Sequence, residues 1–204
     1  MAEQIEVPKN ISPKDFFEKF VPEQFEKNKG LLPQETKSLS VTAVIELKGD
    51  QGGIWTICMS KGNISVSPGD SPDRIVKIVQ SVADWRSAIS GERGFKVDMA
   101  NIASSNIGGQ AMAPMSQEKI DQLKEIEGAL LFQSTHPVKG NWEITAHFGK
   151  TERDQPDCTI IVSDETFVAL QKGETNPPMA FMQGNVKIQG DMGLAMRVGT
   201  IMMA

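Results

Sequence analysis

Side chains able to do acid–base or covalent chemistry are scattered along this chain, and none stands in a pattern that performs it. The two histidines, His136 and His147, are isolated. His136 precedes Pro137 at the end of a strand pattern and His147 falls on the polar side of another, so both read as ordinary surface or turn residues. Ser116 and Lys119 have the S-x-x-K spacing that lets a lysine deprotonate a serine, but the companion motifs are missing and Ser116 stands where a helix needs its N-cap. Asp164 with Glu165, and Glu125 with Glu127, are carboxylate pairs of the sort used in acid–base catalysis. The first pair lies at a helix start, where negative charge favours the helix dipole, and the second on a solvated helical turn. No H-E-x-x-H, Walker loop, dinucleotide fingerprint or nucleophile elbow occurs. Cys58 and Cys158 are far apart and form no C-x-x-C, which reads as two small core or sheet residues. A non-catalytic chain without metal or cofactor is expected.

What remains is apolar. Met179, Met182, Met192, Met196, Met202 and Met203 crowd the last quarter of the chain, and methionine adapts to irregular or variable apolar shapes. Apolar residues at strand and helix spacing most often form core. The methionine concentration, together with Gly190-Asp191-Met192-Gly193 read as a hinge before a terminal helix, points instead to a lid over a cavity. A flexible lipid fits such a container.

The elements that must position this tail are legible. Ser12-Pro13-x-Asp15 is a helix start, with Ile11 placed to staple onto Phe16. Val41, Ala43, Ile45 and Leu47 alternate with polar residues as a half-buried strand, Gly49 to Gly53 turns, and Trp55, Ile57 and Met59 continue a hairpin. Lys61-Gly62-Asn63 turns again into Ile64-Ser65-Val66. Ile75 to Val79 reads as a more buried strand, Ser81 to Asp84 caps a helix through Trp85 and Ala88, and Gly91 ends it. The order recurs: Trp142, Ile144, Ala146 and Phe148 alternate, Cys158 to Val162 forms a strand, and Phe167 and Leu170 mark a helix ending near Gly173. This predicts an internal duplication, with residues 1–100 as a degenerate repeat, 101–115 as a linker rich in Asn, Ser, Gly, Ala and Met, and 116–204 as the ligand-binding domain. One joint domain built from both halves is the alternative.

A net charge of −5 and a pI near 5.2 argue against nucleic acid, which needs a concentrated basic surface. Only three tryptophans and no tyrosine leave few stacking platforms for single strands. No apolar run approaches the roughly 20 residues needed to cross a bilayer, and the start has neither the basic region nor the apolar core of a secretory signal. A cytoplasmic protein is expected, with transient membrane contact left open.

Asp157-Cys-Thr-Ile-Ile-Val-Ser-Asp-Glu-Thr-Phe-Val-Ala-Leu-Gln-Lys-Gly173, then Asn176-Pro177, Phe181-Met-Gln-Gly-Asn-Val-Lys-Ile-Gln-Gly190 and Met192-Gly-Leu-Ala-Met196, closely resemble the sterol carrier protein type-two family. The likeness is strongest over residues 157–198 and weaker over residues 41–92. It implies an α/β fold of the α+β type, in which a largely antiparallel five-stranded sheet is covered by helices, with a hydrophobic tunnel that holds fatty acid, fatty acyl-CoA, phospholipid or sterol and no catalysis. On this resemblance Phe167, Leu170, Phe181, Met182, Ile188, Met192, Leu194 and Met196 lie on or near the tunnel, and Gln183 offers a polar contact to a head group. The chain departs from the family in its extra N-terminal half, in the short stretch between Phe148 and Asp157, and in its Ile-Met-Met-Ala204 ending where a peroxisomal Ser-Lys-Leu-like signal would stand. Lipid carriage is the expectation. The competing expectations are an interaction module with a self-filled cavity, as a homodimer or with a partner, and an accessory domain presenting lipid to a partner enzyme.

Overall fold

The computed structural model describes residues 7–8, 10–31, 37–94 and 115–203. The linker expected at 101–115 lies outside them except for its last residue. The order of elements is α1 (Pro13–Asp15), running through a π-helical turn (Phe16–Phe20) into α2 (Val21–Asn28), then β1 (Ser40–Lys48), β2 (Gly53–Ser60), β3 (Asn63–Pro68), β4 (Val76–Ser81) and α3 (Val82–Ser90). The second half contributes α4 (Gln117–Lys124), β5 (Gly128–His136), β6 (Gly140–Phe148), β7 (Cys158–Ser163), α5 (Asp164–Gln171), α6 (Pro177–Met182), β8 (Val186–Gly190) and α7 (Met192–Met203).

All strands among the described residues join one sheet in the order β3-β2-β1-β4-β6-β5-β7-β8. The mixed α/β class is as expected; the strand number is not, since the sheet has eight strands rather than five. The extra strands come from the first half, whose β4 pairs antiparallel with β6 and so extends the second half's sheet instead of closing a separate one. Within each half the same path is traced. β1 pairs antiparallel with β2 and parallel with β4, which leads into α3. β5 pairs antiparallel with β6 and parallel with β7, which leads into α5.

Local chemistry explains the element boundaries. Ser12, Ser81, Ser116, Ser163 and Asn176 each cap a helix by accepting a backbone N–H with the side-chain oxygen, which satisfies one of the amides a helix start leaves unpaired. Gly91 closes α3 in the left-handed region, at φ 74. Replacing Ser81 by alanine removes the Asp84 N–H bond of 2.9 Å. We expect it to cost about 1 kcal/mol and to lower the thermal midpoint by about 2–4 °C, readable by circular dichroism.

Strand alternation turns one face apolar, and the helices pack on that face. At one end of the strands Ile120, Leu123, Leu194 and Ile201 from α4 and α7 bury against Leu130, Phe148 and Cys158. At the other end of the first half, Phe16, Phe17 and Phe20 meet Trp55 and Trp85. Phe17 stacks on Trp55 with ring centres 4.7 Å apart, and Phe16 meets Trp85 edge-on at 5.2 Å, geometries that suit the aromatic quadrupole.

On the opposite face Lys77 is buried, at 4% side-chain exposure, and its ammonium lies 2.7 Å from Glu46, 2.8 Å from Glu152 and 3.4 Å from Asp70. Arg74 completes the group by pairing with Asp70 at 2.7 Å. Glu46 and Lys77 come from the first half and Glu152 from the second, so the cluster fastens the β4–β6 junction. A lysine inside an apparent apolar run, Ile75 to Val79, is thus buried because carboxylates from both halves surround it.

Candidate functional site

The helix-covered face of the second half is best followed along its strand registers. Leu130, Phe132 and Ser134 of β5 face Cys158, Ile160 and Val162 of β7, and Ile160 and Val162 face Ile188 and Val186 of β8. The end rows are sealed: Leu130 and Cys158 are buried near α7, and Ser134, Val162 and Val186 near α5 and α6. The middle row is different. Phe132, Ile160 and Ile188 are only partly buried, and each packs against both the cluster that holds α7 and the cluster that holds Ala180 of α6. They form an apolar floor between two groups of helices.

Phe167 and Leu170 of α5 flank this floor. Phe167 lies 5.2 Å from the Phe132 ring and 6.5 Å from Trp142, and the Trp142 indole N–H donates to the Asp84 carbonyl at 2.8 Å, which fixes that aromatic wall to α3. Of the residues named from the resemblance, Phe167, Leu170 and Ile188 therefore meet around the floor. Leu194 is 1% exposed and belongs to the core beneath α7. Phe181, Met182, Gln183, Met192 and Met196 are exposed, with Met182 at 86%; Gln183 accepts a hydrogen bond from Asn185. Phe132, Ile160 and Trp142 were not singled out from the sequence as site residues. Their strand alternation was the available signal, but it could not say which buried-face positions would stay partly uncovered.

The join before α7 is tethered. Gly190 pairs with Cys158 at φ 82, and a β-carbon there would fall 2.2 Å from the Asp157 carbonyl oxygen, so only glycine fits without displacing the backbone. Asp191 N–H donates to that same carbonyl at 2.7 Å, and the Asp191 carboxylate accepts the Leu194 N–H at 3.0 Å. Asp191 thus serves as a cap for the final helix.

Among the described residues, the titratable groups of the second half stand in separate surroundings. The Cys158 thiol is buried, and burial pushes its pKa up, away from thiolate character. His147, expected at the surface, is 7% exposed: it sits next to the Lys77 cluster, its Nδ1 accepts the Arg153 N–H at 3.4 Å, and burial lowers its pKa. Its position corrects the expectation because loop residues around Arg153 fold over the polar face of β6. Asp164 also departs from the simple helix-dipole reading. It is 4% exposed, and its carboxylate accepts from Arg93 Nη2 at 3.0 Å and from the Ser134 hydroxyl at 2.6 Å. Ser116 caps α4 by accepting the Lys119 N–H, as expected. Among the described residues no group of three or more His, Cys, Asp or Glu is placed to hold a metal ion. A cleft of about 430 Å³ lies between α4 and α7, with Gln122, Glu125, Met196 and Arg197 among its walls; its charged lining distinguishes it from the floor.

An apolar floor is the arrangement that the family likeness implies, and the comparisons with known proteins bear on the family alone. Residues 111–203 match the SCP-2 sterol transfer family. That match lies wholly in the second half and covers a little less than half of this chain. Sterol carrier protein 2 of Homo sapiens is 35% identical over 92 residues, covering 41% of this chain and 17% of that protein. Peroxisomal multifunctional enzyme A of Dictyostelium discoideum is 43% identical over 63 residues, covering 31% of this chain and 14% of that protein. The solution structure of the sterol carrier protein domain 2 of Helicoverpa armigera is 29% identical and covers 40% of this chain and 71% of that one, at a TM-score of 0.32. The chain spans about a sixth of the length of these curated relatives. The matched residues include the floor and α5 to α7, and no helix among the described residues is long and apolar enough to cross a membrane.

Proposed function

We propose that the SCP-2 half binds one long apolar chain, of a fatty acid or a similar lipid, over Phe132, Ile160 and Ile188, and carries it without catalysing a reaction. The supporting observation is the partial exposure of these residues in the middle of a helix-covered face, where a filled core would leave them fully buried. Each 100 Å² of apolar surface removed from water contributes about 2.5 kcal/mol, so a chain laid along the floor is held without a covalent bond or a charged contact. Selectivity for the head group is then weak. The recurrence of the β1-β2-β4-α3 path supports reading residues 1–100 as a degenerate copy of the SCP-2 half. A second reading is favoured by the name of the Dictyostelium relative: as part of a multifunctional enzyme, such a domain would present lipid to a catalytic partner.

The test is titration with a fluorescent fatty acid, backed by native mass spectrometry of the protein as purified. Saturable uptake near one equivalent per chain is expected. Ile160→Trp fills the middle of the floor and should weaken uptake by at least about tenfold, the equivalent of 1.4 kcal/mol, while the thermal midpoint stays near that of the wild type. Uptake that ignores this substitution, in a protein that still melts cooperatively, would rule the floor out as the site.

A further inference from the structure

The partly covered row does not stop at the boundary between the halves. Across the seam, Phe132 faces Ile144 on β6, and Ala146 on the same face of β6 sits opposite Ile78 of β4. Ile78 faces Ile45 of β1, Ala43 of β1 faces Ile57 of β2, and Ile57 faces Val66 of β3. Every one of these side chains is apolar and only partly buried. The row therefore crosses all eight strands. Seven interstrand steps of about 4.8 Å, with two-residue offsets in the same direction on β1 and β6, make it roughly 36 Å from end to end. That is close to the roughly 30 Å hydrocarbon thickness of a bilayer, which two acyl chains fill end to end.

Near the middle of this row lies one polar exception. Gln80, on β4, the fourth strand of the sheet order, is two residues beyond Ile78 and so on the same face, paired with Leu47. It is 9% exposed, and among the described residues its Nε2 has no hydrogen-bond partner. A buried amide donor left unpaired is costly and asks for an acceptor. The acceptor would have to lie in the row, with apolar chain on either side of it. A terminal carboxylate fits poorly, because it would leave half the row uncovered and bring a charge into apolar surroundings beside a neutral amide.

We infer that the row running through both halves is a single binding trough for a neutral ester of two long unbranched chains, with the ester carbonyl accepting from Gln80 Nε2 and one chain lying in each half. This deepens the proposed lipid-binding function and rests on it. The first half then supplies half of the binding surface, and a single fatty acid occupies only the SCP-2 part.

The experiment offers the full chain phosphatidylcholine vesicles carrying either hexadecyl hexadecanoate or palmitic acid, reisolates the protein, and measures extracted lipid by mass spectrometry. Ile57→Trp blocks the first-half end of the trough, and is expected to reduce ester uptake by about tenfold or more while palmitic acid uptake stays unchanged. Gln80→Leu should reduce ester uptake by about tenfold and raise the thermal midpoint of the lipid-free protein, because it removes an unpaired buried donor. If Ile57→Trp does not fold, Ile78→Phe blocks the trough with a smaller change. Ester uptake that withstands Gln80→Leu and a folded blocking variant overturns the inference, and so does uptake of palmitic acid without uptake of the ester. Failure to take up either lipid overturns the proposed function as well.

Discussion

Arg93→Met is expected to lower the thermal midpoint by roughly 10 °C, the largest loss from any single change considered. Arg93, in the segment after α3, is 6% exposed and reaches into the second half. Its Nε and Nη2 donate to Asp164, Nη2 also donates to the Gly140 carbonyl at 2.8 Å, and the Ser134 hydroxyl donates to the same Asp164 oxygen that Nη2 contacts. Removing the guanidinium leaves a carboxylate at 4% exposure with one hydroxyl for support. Breaking one side of a buried pair costs about 3–5 kcal/mol, and each kcal/mol shifts the midpoint of a chain of this size by about 2–4 °C. Asp164→Asn in the same background removes the stranded charge and should recover part of the loss. A double-mutant cycle by chemical denaturation measures the coupling; an Arg93→Met variant within about 0.5 kcal/mol of wild type would show that the pair does not hold α5 to the end of α3.

Lys77→Met is expected to have the second-largest effect, and its effect should fade in acid. Lys77 is buried while Glu152 is nearly half exposed, so solvent screens part of the interaction and the loss at neutral pH is roughly 2 kcal/mol. Burial alone would lower the Lys77 pKa, but hydrogen bonds to Glu152 and Glu46 outweigh it and hold it above its ordinary value. The Lys77 hydrogen bond holds Glu152 below the usual carboxylate range. Asp70 is also lowered: burial pushes it up, and the Ser71 N–H, Arg74 and Lys77 together overcome that. The signs follow from linkage. The depressed carboxylates contribute stability that is present above the unfolded value near 4 and is lost as pH falls through their folded values. The raised lysine contributes below its ordinary value and loses that contribution as pH rises through its folded pKa. Wild type should therefore lose stability on acidification below about pH 4 more steeply than Lys77→Met, so that the two denaturation midpoints converge there. Curves that stay parallel down to pH 2 would place the acid sensitivity elsewhere.

The two ion-pair groups also explain how the halves act together. Each joins side chains at least 71 residues apart, Arg93 to Asp164 and Lys77 to Glu152, one on each face of the sheet at the junction. Together with the β4–β6 pairing they make the first half part of the surface over which the trough runs.

The sequence by itself determined the local structure of this protein. Alternation from Val41 to Lys48 and from Trp142 to Phe148 wrote two strands and their apolar face, because side chains in a strand point to opposite sides at every step. Ser12, Ser81 and Ser116 announced helix starts, because an unpaired amide needs an oxygen within a few residues. The segment from Asp157 to Met196 carried the family likeness, because its spacing sets a strand, helix and strand against one another. Tertiary structure alone decided the rest. Asp164 read as a helix-dipole carboxylate, His147 as a surface residue and Lys77 as part of an apolar run, since the groups that bury or pair them come from distant segments. The count of eight strands depended on β4 meeting β6, a pairing between halves that no local pattern encodes. Which apolar positions became core and which remained an open floor was likewise set by where the helices came to rest: periodicity assigns a side chain to a face, and only packing decides whether anything covers it.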